Sequence, residues 1–429
     1  MELLMITDQY PYNYGDAVFI KPEAPFLSES FDKVHVMNTS VESFNYEKAE
    51  IPENMCLIPP ELFNPKYTGK HDRFRAIFSS FLHPFKLSFI LFTEIIMLIK
   101  RKKINKSTFK TAIVYLLNAN LLSIFIKNYL LNNPEIKLIY TYWYKNETLT
   151  SIICKKCFKM HIKCITRTHG YDLYEFRQEN NYQPYKIWMG RFIDKVYFAS
   201  QAGYEYYIGL FAGKNRNKYT ISKLGIENDY LPYSNHEAIT SNKHLSIVSC
   251  SNTIPVKRVN LIIDALSEIT DLSIKWIHIG DGPEKSTLEN QSKMLLENKI
   301  NISYVFKGHM DNKAVKCFYY ENYFDCFIST TATEGGNPVS MMEAISFGIP
   351  VIASAVGGVP EIVNDSTGIL LNPDNCTEEL MSALYRFSSM PITEKKALRL
   401  SCRKYWEDNY MAEKQYSVFV NDLLDIVQQ

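Results

Sequence analysis

Short apolar runs of three to six residues recur along this chain, each closed by a turn, and helical segments separate them. That alternation constrains the fold more than any other feature. Leu3 to Ile6 and Val34 to Met37 flank a helix near Pro22 to Ser30, and the rhythm resumes at Lys137 to Tyr140, Ile162 to Thr166 and Lys195 to Phe198. It returns at Leu245 to Ser249, Ile274 to Ile279, Ser303 to Phe306, Cys326 to Ser329 and Val351 to Ala353. Strands separated by helices build parallel sheets, because a parallel crossover needs a helix to carry the chain back. Between the two series lies the polar stretch YSNHEAITSNKH, Tyr233 to His244, which reads as a linker. The fold class is therefore α/β with two doubly wound, Rossmann-like domains, the first over residues 1–235 and the second over 236–405. In open sheets of this kind ligands collect outside the carboxyl ends of the strands, so residues just after strands are the candidates.

Charge and cysteine content narrow the function classes. Forty-seven Lys and Arg against forty-six Asp and Glu leave a formal charge of +1, and no basic aromatic platform is visible, so nucleic acid is not an expected partner. Nine cysteines and an opening MELLMITDQYPY without a charged leader point to a reducing cytosol and no disulfide framework. Cys154, Cys157, His161 and Cys164 have zinc-like spacing, but a helix over Thr148 to Lys159 running into a strand at Ile162 would point them apart, as small buried residues. The segment from Phe74 to Lys103 is rich in Phe, Ile and Leu and closes on basic residues. Its apolar run from Ser88 to Ile99 is too short to span a bilayer, which leaves two readings: a core helix, or an interfacial helix touching the membrane peripherally.

The most informative stretch is TEGGNPVSMMEAISFGIPVIASAVGG, Thr333 to Gly358. Asn337 suits a helix cap and Pro338 the first helical position, with the helix running to Phe347 and Gly348 as its left-handed stop. Gly335 and Gly336 then lie on a tight loop that lets an anion approach the helix amides around Asn337, Pro338, Val339 and Ser340. Glu334 before the helix and Glu343 within it repel phosphate but accept sugar hydroxyls. Together they suit a nucleotide-sugar. A capping acid plus a solvated helix glutamate is the plainer reading of the same spacing.

This stretch resembles the donor-binding signature of the retaining glycosyltransferases of family 4, which have the two-domain GT-B fold with a cleft between the domains. The resemblance implies that Glu334 contacts the transferred sugar and Glu343 the ribose hydroxyls. EGGNPVSMME places eight residues between the glutamates where the family pattern has seven, which reads as a one-residue insertion because Pro338, Glu343, Ala344, Gly348 and Pro350 keep their spacing. HIGDGPEKSTLE and YVFKGHM are similar to the family's later turns and imply Gly308 and His309 as base contacts. SNTIPVKRVNLIIDAL resembles the segment that supplies two cations to the diphosphate. Lys257 matches one, while Asn252 stands where an arginine is usual, so Arg258 is the candidate replacement. TRTHGYDLY implies His169 against the donor sugar, with Arg167 and Asp172 shaping the same wall, and YPYNYGDAVF leaves Gly15 in the loop toward the diphosphate. SKLGIEND resembles the interdomain turn. The family's last helix, here about 406–429, packs back on the first domain.

The implied activity is transfer of a hexose from a nucleotide-sugar, UDP-sugars favoured, to a glycan or lipid-linked acceptor with retention of configuration. The setting is cell-surface polysaccharide assembly such as capsule or lipopolysaccharide, at the cytoplasmic face of the membrane. No cofactor is expected, since the nucleotide-sugar is a substrate, and no metal, since no Asp-x-Asp pair follows a strand. Two other readings use the same residues: a nucleotide-sugar epimerase, and a binding or scaffold protein without catalysis, for which Asn252 and the altered glutamate spacing speak.

Overall fold

The computed structural model describes residues 1–13, 15–40, 42–59, 84–211, 216–228, 230 and 244–428. It divides into two compact units, Met1–Ser222 with Tyr416–Gln429, and Lys223–Gln415. The expected linker lies outside the described residues except for His244, which opens a strand, and so does the part of the 74–103 segment before Pro84.

The first unit is a seven-stranded sheet in the order β3-β2-β1-β4-β5-β6-β7. Its strands are β1 Glu2–Thr7, β2 Lys33–Asn38, β3 Met55–Leu57, β4 Ile136–Thr141, β5 Lys163–Thr168, β6 Lys195–Phe198 and β7 Tyr219–Ile221. All neighbours pair in parallel. The apolar runs are unbroken because both faces of the sheet are covered. Leu3 and Met5 point to one face, where they join a core with Phe419 and Leu423 of the C-terminal helix Ala412–Gln428. Leu4 and Ile6 point to the other and pack with Ile126 and Leu130 of the helix Lys106–Asn132. The chain rejoins the first unit at Tyr416 rather than near 406, since Trp406 and Tyr410 are buried within the second.

The Lys106–Asn132 helix starts at a capping box formed by Asn105 and Thr108. By length and composition it is the one helix among the described residues able to cross a membrane. Its inner stripe is packed on the helix Asn146–Lys156, where the Thr150 hydroxyl donates to the Ala119 carbonyl at 3.2 Å. The cysteines with zinc-like spacing sit in this packing. The Cys154 and Cys164 thiols donate to the carbonyls of Ser123 and Ser151, and burial pushes Cys164 up to about 12.

The second unit is a six-stranded parallel sheet in the order β10-β9-β8-β11-β12-β13. Its strands are β8 His244–Cys250, β9 Ser273–Ile279, β10 Ile302–Phe306, β11 Cys326–Ser329, β12 Val351–Ser354 and β13 Gly368–Leu371. In both sheets the order reverses beside the first strand, between β1 and β4 and between β8 and β11. At such a switch point the loops diverge and leave a crevice for ligands. All ten strands read from the sequence are present. The three it missed, β3, β7 and β13, are edge strands of three or four residues whose burial is only partial, which weakens their apolar signal.

Candidate functional site

In the second unit the singled-out residues gather beyond the carboxyl ends of β8 to β12. After β8 the chain enters a short 3-10 turn, Pro255–Lys257, which aims Lys257 at the loop after β11. There Lys257 Nζ donates to Glu334 Oε1 at 2.5 Å, with both side chains partly exposed. The pair puts a cation and a carboxylate on one small surface, each able to release the other to a ligand.

Arg258 differs from expectation. Its left-handed backbone turns the side chain inward, and the guanidinium donates to the carbonyls of Thr330, Thr331 and Pro373 at 2.8 to 3.2 Å. It ties three loops together and does not stand in for the cation missing at Asn252, which is exposed.

The loop Glu334–Asn337 is held by a close approach that the glycines after β12 allow. A Cβ on Gly357, whose φ is +53°, would lie 1.9 Å from the Glu334 carbonyl oxygen, closer than any side chain tolerates. The following helix is Val339–Ser346 with Pro338 as its cap residue, one position later than expected. Asn337 does not cap it: the Asn337 amide donates to the Tyr410 hydroxyl at 3.4 Å. Proline has no N–H to waste at this boundary, and its carbonyl instead accepts from Met341 and Met342. The half-buried Val339 and Ser340 amides are the first donors of the helix, and they carry its positive dipole end.

Glu343 is buried on the inner side of this helix and accepts a hydrogen bond from the Asn312 side chain. Burial raises its pKa and the Asn312 amide opposes that rise. Asn312 opens the helix Asn312–Glu321, and sequence reading passed over it because nothing local marks it as a partner for Glu343. Gly308 has a φ of +74° and bridges to Gly280. The bridge joins the turns after β9 and β10, leaving His309 exposed beside them. His278 braces this corner from below: its Nδ1 is 2.8 Å from the Ser249 hydroxyl, and burial lowers its pKa to about 4.

In the first unit His169 follows β5. Its backbone N–H donates to Asp172 Oδ1 at 2.7 Å, and the same carboxylate accepts from the Tyr144 N–H. The ring lies among Tyr142 and Trp143, each with its centroid 4.7 Å away, and Phe19 at 6.4 Å. Burial, assisted by the Arg167 charge, pushes its pKa down to about 3, against a hydrogen bond to the Tyr142 backbone. The imidazole is neutral throughout the physiological range. Its Nε2 has no hydrogen-bond partner among the described residues. With Nδ1–H given to the backbone, Nε2 is an acceptor.

Arg167 is not part of that wall. It is fully buried, 3.3 Å from Glu23 and 4.2 Å from the Phe419 ring centroid, where it fastens the C-terminal helix to the sheet. Asp172 shapes the wall through the backbone. Gly15 has a φ of +58° beside Asp16, whose carboxylate accepts from the amides of Asp8, Gln9 and Tyr10 and so shapes the loop after β1.

Sequence reading missed a second charged group at this end of the sheet. Lys145 pairs with Asp8 and lies over the Trp143 ring. Beside them burial and Asp8 raise Glu147 to about 7. The signal was available: Asp8 directly follows the first strand and the Lys-x-Glu run opens the helix after β4, both at the switch point. Among the described residues no three His, Cys, Asp or Glu side chains converge as a metal site.

Comparison with known proteins places this geometry. Residues 244–389 match the family model of the glycosyl transferases group 1. WcaL of Escherichia coli (strain K12), a glycosyltransferase that its name assigns to colanic acid biosynthesis, is 25% identical over 244 residues, 54% of this chain and 57% of WcaL. Protein CapJ of Staphylococcus aureus is 31% identical over 116 residues, 27% of this chain and 28% of CapJ. The chain thus spans about half or less of the curated relatives it matches. Among solved structures, a glycosyltransferase from Rickettsia africae ESF-5 superposes with a TM-score of 0.68 at 17% identity, over 100% of this chain and 99% of that one. HepE of Anabaena, solved with UDP and glucose, gives 0.64 at 16% identity over 99% of each chain. Residues 244–389 therefore match the glycosyl transferases group 1, in a chain that has the α/β GT-B fold of the solved glycosyltransferases.

Proposed function

We propose that the protein is a retaining, metal-independent glycosyltransferase that moves a hexose from a UDP-sugar to a glycan or lipid-linked acceptor in surface-polysaccharide assembly. The observation that carries this is the juxtaposition, in the matched domain, of Lys257 and Glu334 with the Val339–Ser346 helix terminus and the buried Glu343. A nucleoside diphosphate gains negative charge as it leaves, and Lys257 with the Val339 and Ser340 amides would stabilise that charge without reorganising. Once the diphosphate draws Lys257 away, Glu334 is free to accept sugar hydroxyls. Glu343, fixed by Asn312, would hold the ribose, and Gly308 and His309 would border the base. In the first unit His169 would accept a hydrogen bond from the sugar through Nε2. A neutral imidazole of this kind positions a substrate and does not shuttle protons, so the acceptor proton would leave on the departing phosphate. The relatives in colanic acid synthesis and the UDP-bound HepE support the substrate class. Action at the cytoplasmic face, with a membrane contact through residues 74–103, fits a lipid-linked acceptor.

One observation favours a second reading, a binding protein without catalysis: Asn252 replaces a cation and Arg258 does not compensate. A thermal-shift titration without metal, against nucleoside diphosphates and nucleotide-sugars, separates the two when paired with product analysis. Stabilisation by a uridine nucleotide, reduced in Glu343→Ala, together with slow sugar release supports the transferase. Stabilisation without release or transfer supports the binding protein, and no stabilisation removes the donor reading altogether.

A further inference from the structure

We propose that the first unit docks on an anionic phospholipid bilayer through the outer face of the Pro84–Lys100 helix and the groove beside it. This rests on the reading of a lipid-linked acceptor and names the surface that would meet the lipid. The helix exposes Phe89, Phe92 and Ile99 at 62%, 58% and 56%. Their spacing of three and seven residues puts them on one stripe, so they are not the scattered apolar residues of an ordinary surface. Beside the stripe runs a groove of about 780 Å³ lined by Phe89, Ile96, Trp188, Phe192, Leu210 and Phe211. Apolar side chains of this size would enter the headgroup boundary, and the groove would accept an acyl chain.

Charge selects the occupant. Residues 84–132 contain eight Lys and Arg and one Glu in a chain whose total is +1, and of the eight only Arg101 and Lys103 pair with an acid among the described residues, Glu175. The one acid, Glu94, lines the groove but is buried and accepts from the Tyr182 hydroxyl at 2.6 Å and the Tyr185 amide at 2.9 Å. Arg191 and Lys218 lie on the groove itself. A second cavity of about 820 Å³ is lined by Lys137, Lys156, Lys159 and Lys163, and by Lys155, which Asp194 neutralises. The two meet where Lys156 of this cavity places its Nζ 4.9 Å from the ring centroid of Phe192 on the groove. Apolar tips framed by cations match acyl chains beneath anionic headgroups. A second copy of the chain would bring the same cations against these and be repelled.

The test is co-sedimentation of the full chain with vesicles of phosphatidylglycerol and phosphatidylcholine in roughly equal parts, and with phosphatidylcholine alone. The expected result is binding to the anionic vesicles at least about tenfold stronger than to the neutral ones, and weakened by high salt. Phe89→Ser with Phe92→Ser should abolish it, and Lys156→Glu with Lys159→Glu should weaken it roughly tenfold or more. Both variants should keep the wild-type thermal transition. Equal binding to both vesicle types, no binding, or binding unchanged by the Phe89 and Phe92 substitutions would overturn the proposal. So would a dimer in light scattering that those substitutions dissociate, which would assign the face to a second copy. Vesicle binding without a nucleotide-induced thermal shift would leave the docking surface standing and remove the donor reading.

Discussion

The carboxyl ends of the two sheets share a topology and differ in chemistry. Around Lys257 and Glu334 the second sheet ends in partly exposed, mutually paired charges. Around His169 the first ends in rings that exclude water and hold an imidazole neutral. Solvent is the source of the difference. A partly exposed ion pair is cheaper to open than a buried one, so it can exchange partners when a phosphate arrives. A desolvated histidine resists charging and serves as a fixed acceptor. The Lys257–Glu334 surface is thus suited to taking up and releasing charge, and the His169 pocket after β5 to orienting a neutral group.

Four measurements would break or sharpen that contrast. The largest effect is expected from Glu334→Gln, which keeps the shape but removes the charge: turnover with a nucleotide-sugar should fall by about 10² or more while nucleotide affinity stays within about twofold. A large loss of affinity instead would show that Glu334 acts only by holding Lys257. Arg258→Ala comes next and should lower stability by about 3 kcal/mol, because three carbonyls lose a charged donor. Its nucleotide affinity, measured below the transition, should not change, and a tenfold loss there would return Arg258 to the donor site.

The first sheet is probed by pH. The His169 pKa is about 3 in the folded state and about 6.5 unfolded, so below pH 6.5 the unfolded chain takes up a proton that the folded one refuses. Stability is complete above pH 6.5 and falls as pH drops from there toward 3. Denaturation of wild type and His169→Gln should show the wild type losing about 2 kcal/mol more between pH 6.5 and 5. Parallel losses would mean that the imidazole is solvated and the contrast false. The smallest effect is expected from Glu343→Ala, a roughly tenfold weaker nucleotide affinity with turnover at saturation little changed. Calorimetric titration beside saturation kinetics would detect a turnover loss that moves Glu343 into the chemistry.

Much of this protein was legible because its strongest signals are local. The buried strands β1, β2, β4, β5 and β6, and β8 to β12, are short apolar runs closed by turns, a pattern that marks strands locally. Gly335, Gly336 and the helix that follows them could be placed from backbone chemistry alone, and Lys257 from the resemblance of SNTIPVKRVNLIIDAL to the family's cation-supplying segment. The misplaced residues depend on what meets them from elsewhere in the chain. Arg258 and Arg167 are cations close in sequence to candidate site residues, and only the packing shows that three carbonyls on two other loops hold one and Glu23 with Phe419 the other. The helix cap fell on Pro338 and not Asn337 because Tyr410, seventy-three residues later, engages the Asn337 amide.

By itself, then, the sequence determined two parallel α/β sheets, the strand ends where the candidate residues lie and the carboxylates of a kind that can accept sugar hydroxyls. Periodicity, glycine and proline act over a few residues and need no partner. Tertiary structure alone decided which charges are free to meet a ligand, the neutrality of His169 and the exposure of the Phe89 stripe. Desolvation and pairing are properties of an environment assembled from distant segments, so no single segment carries them.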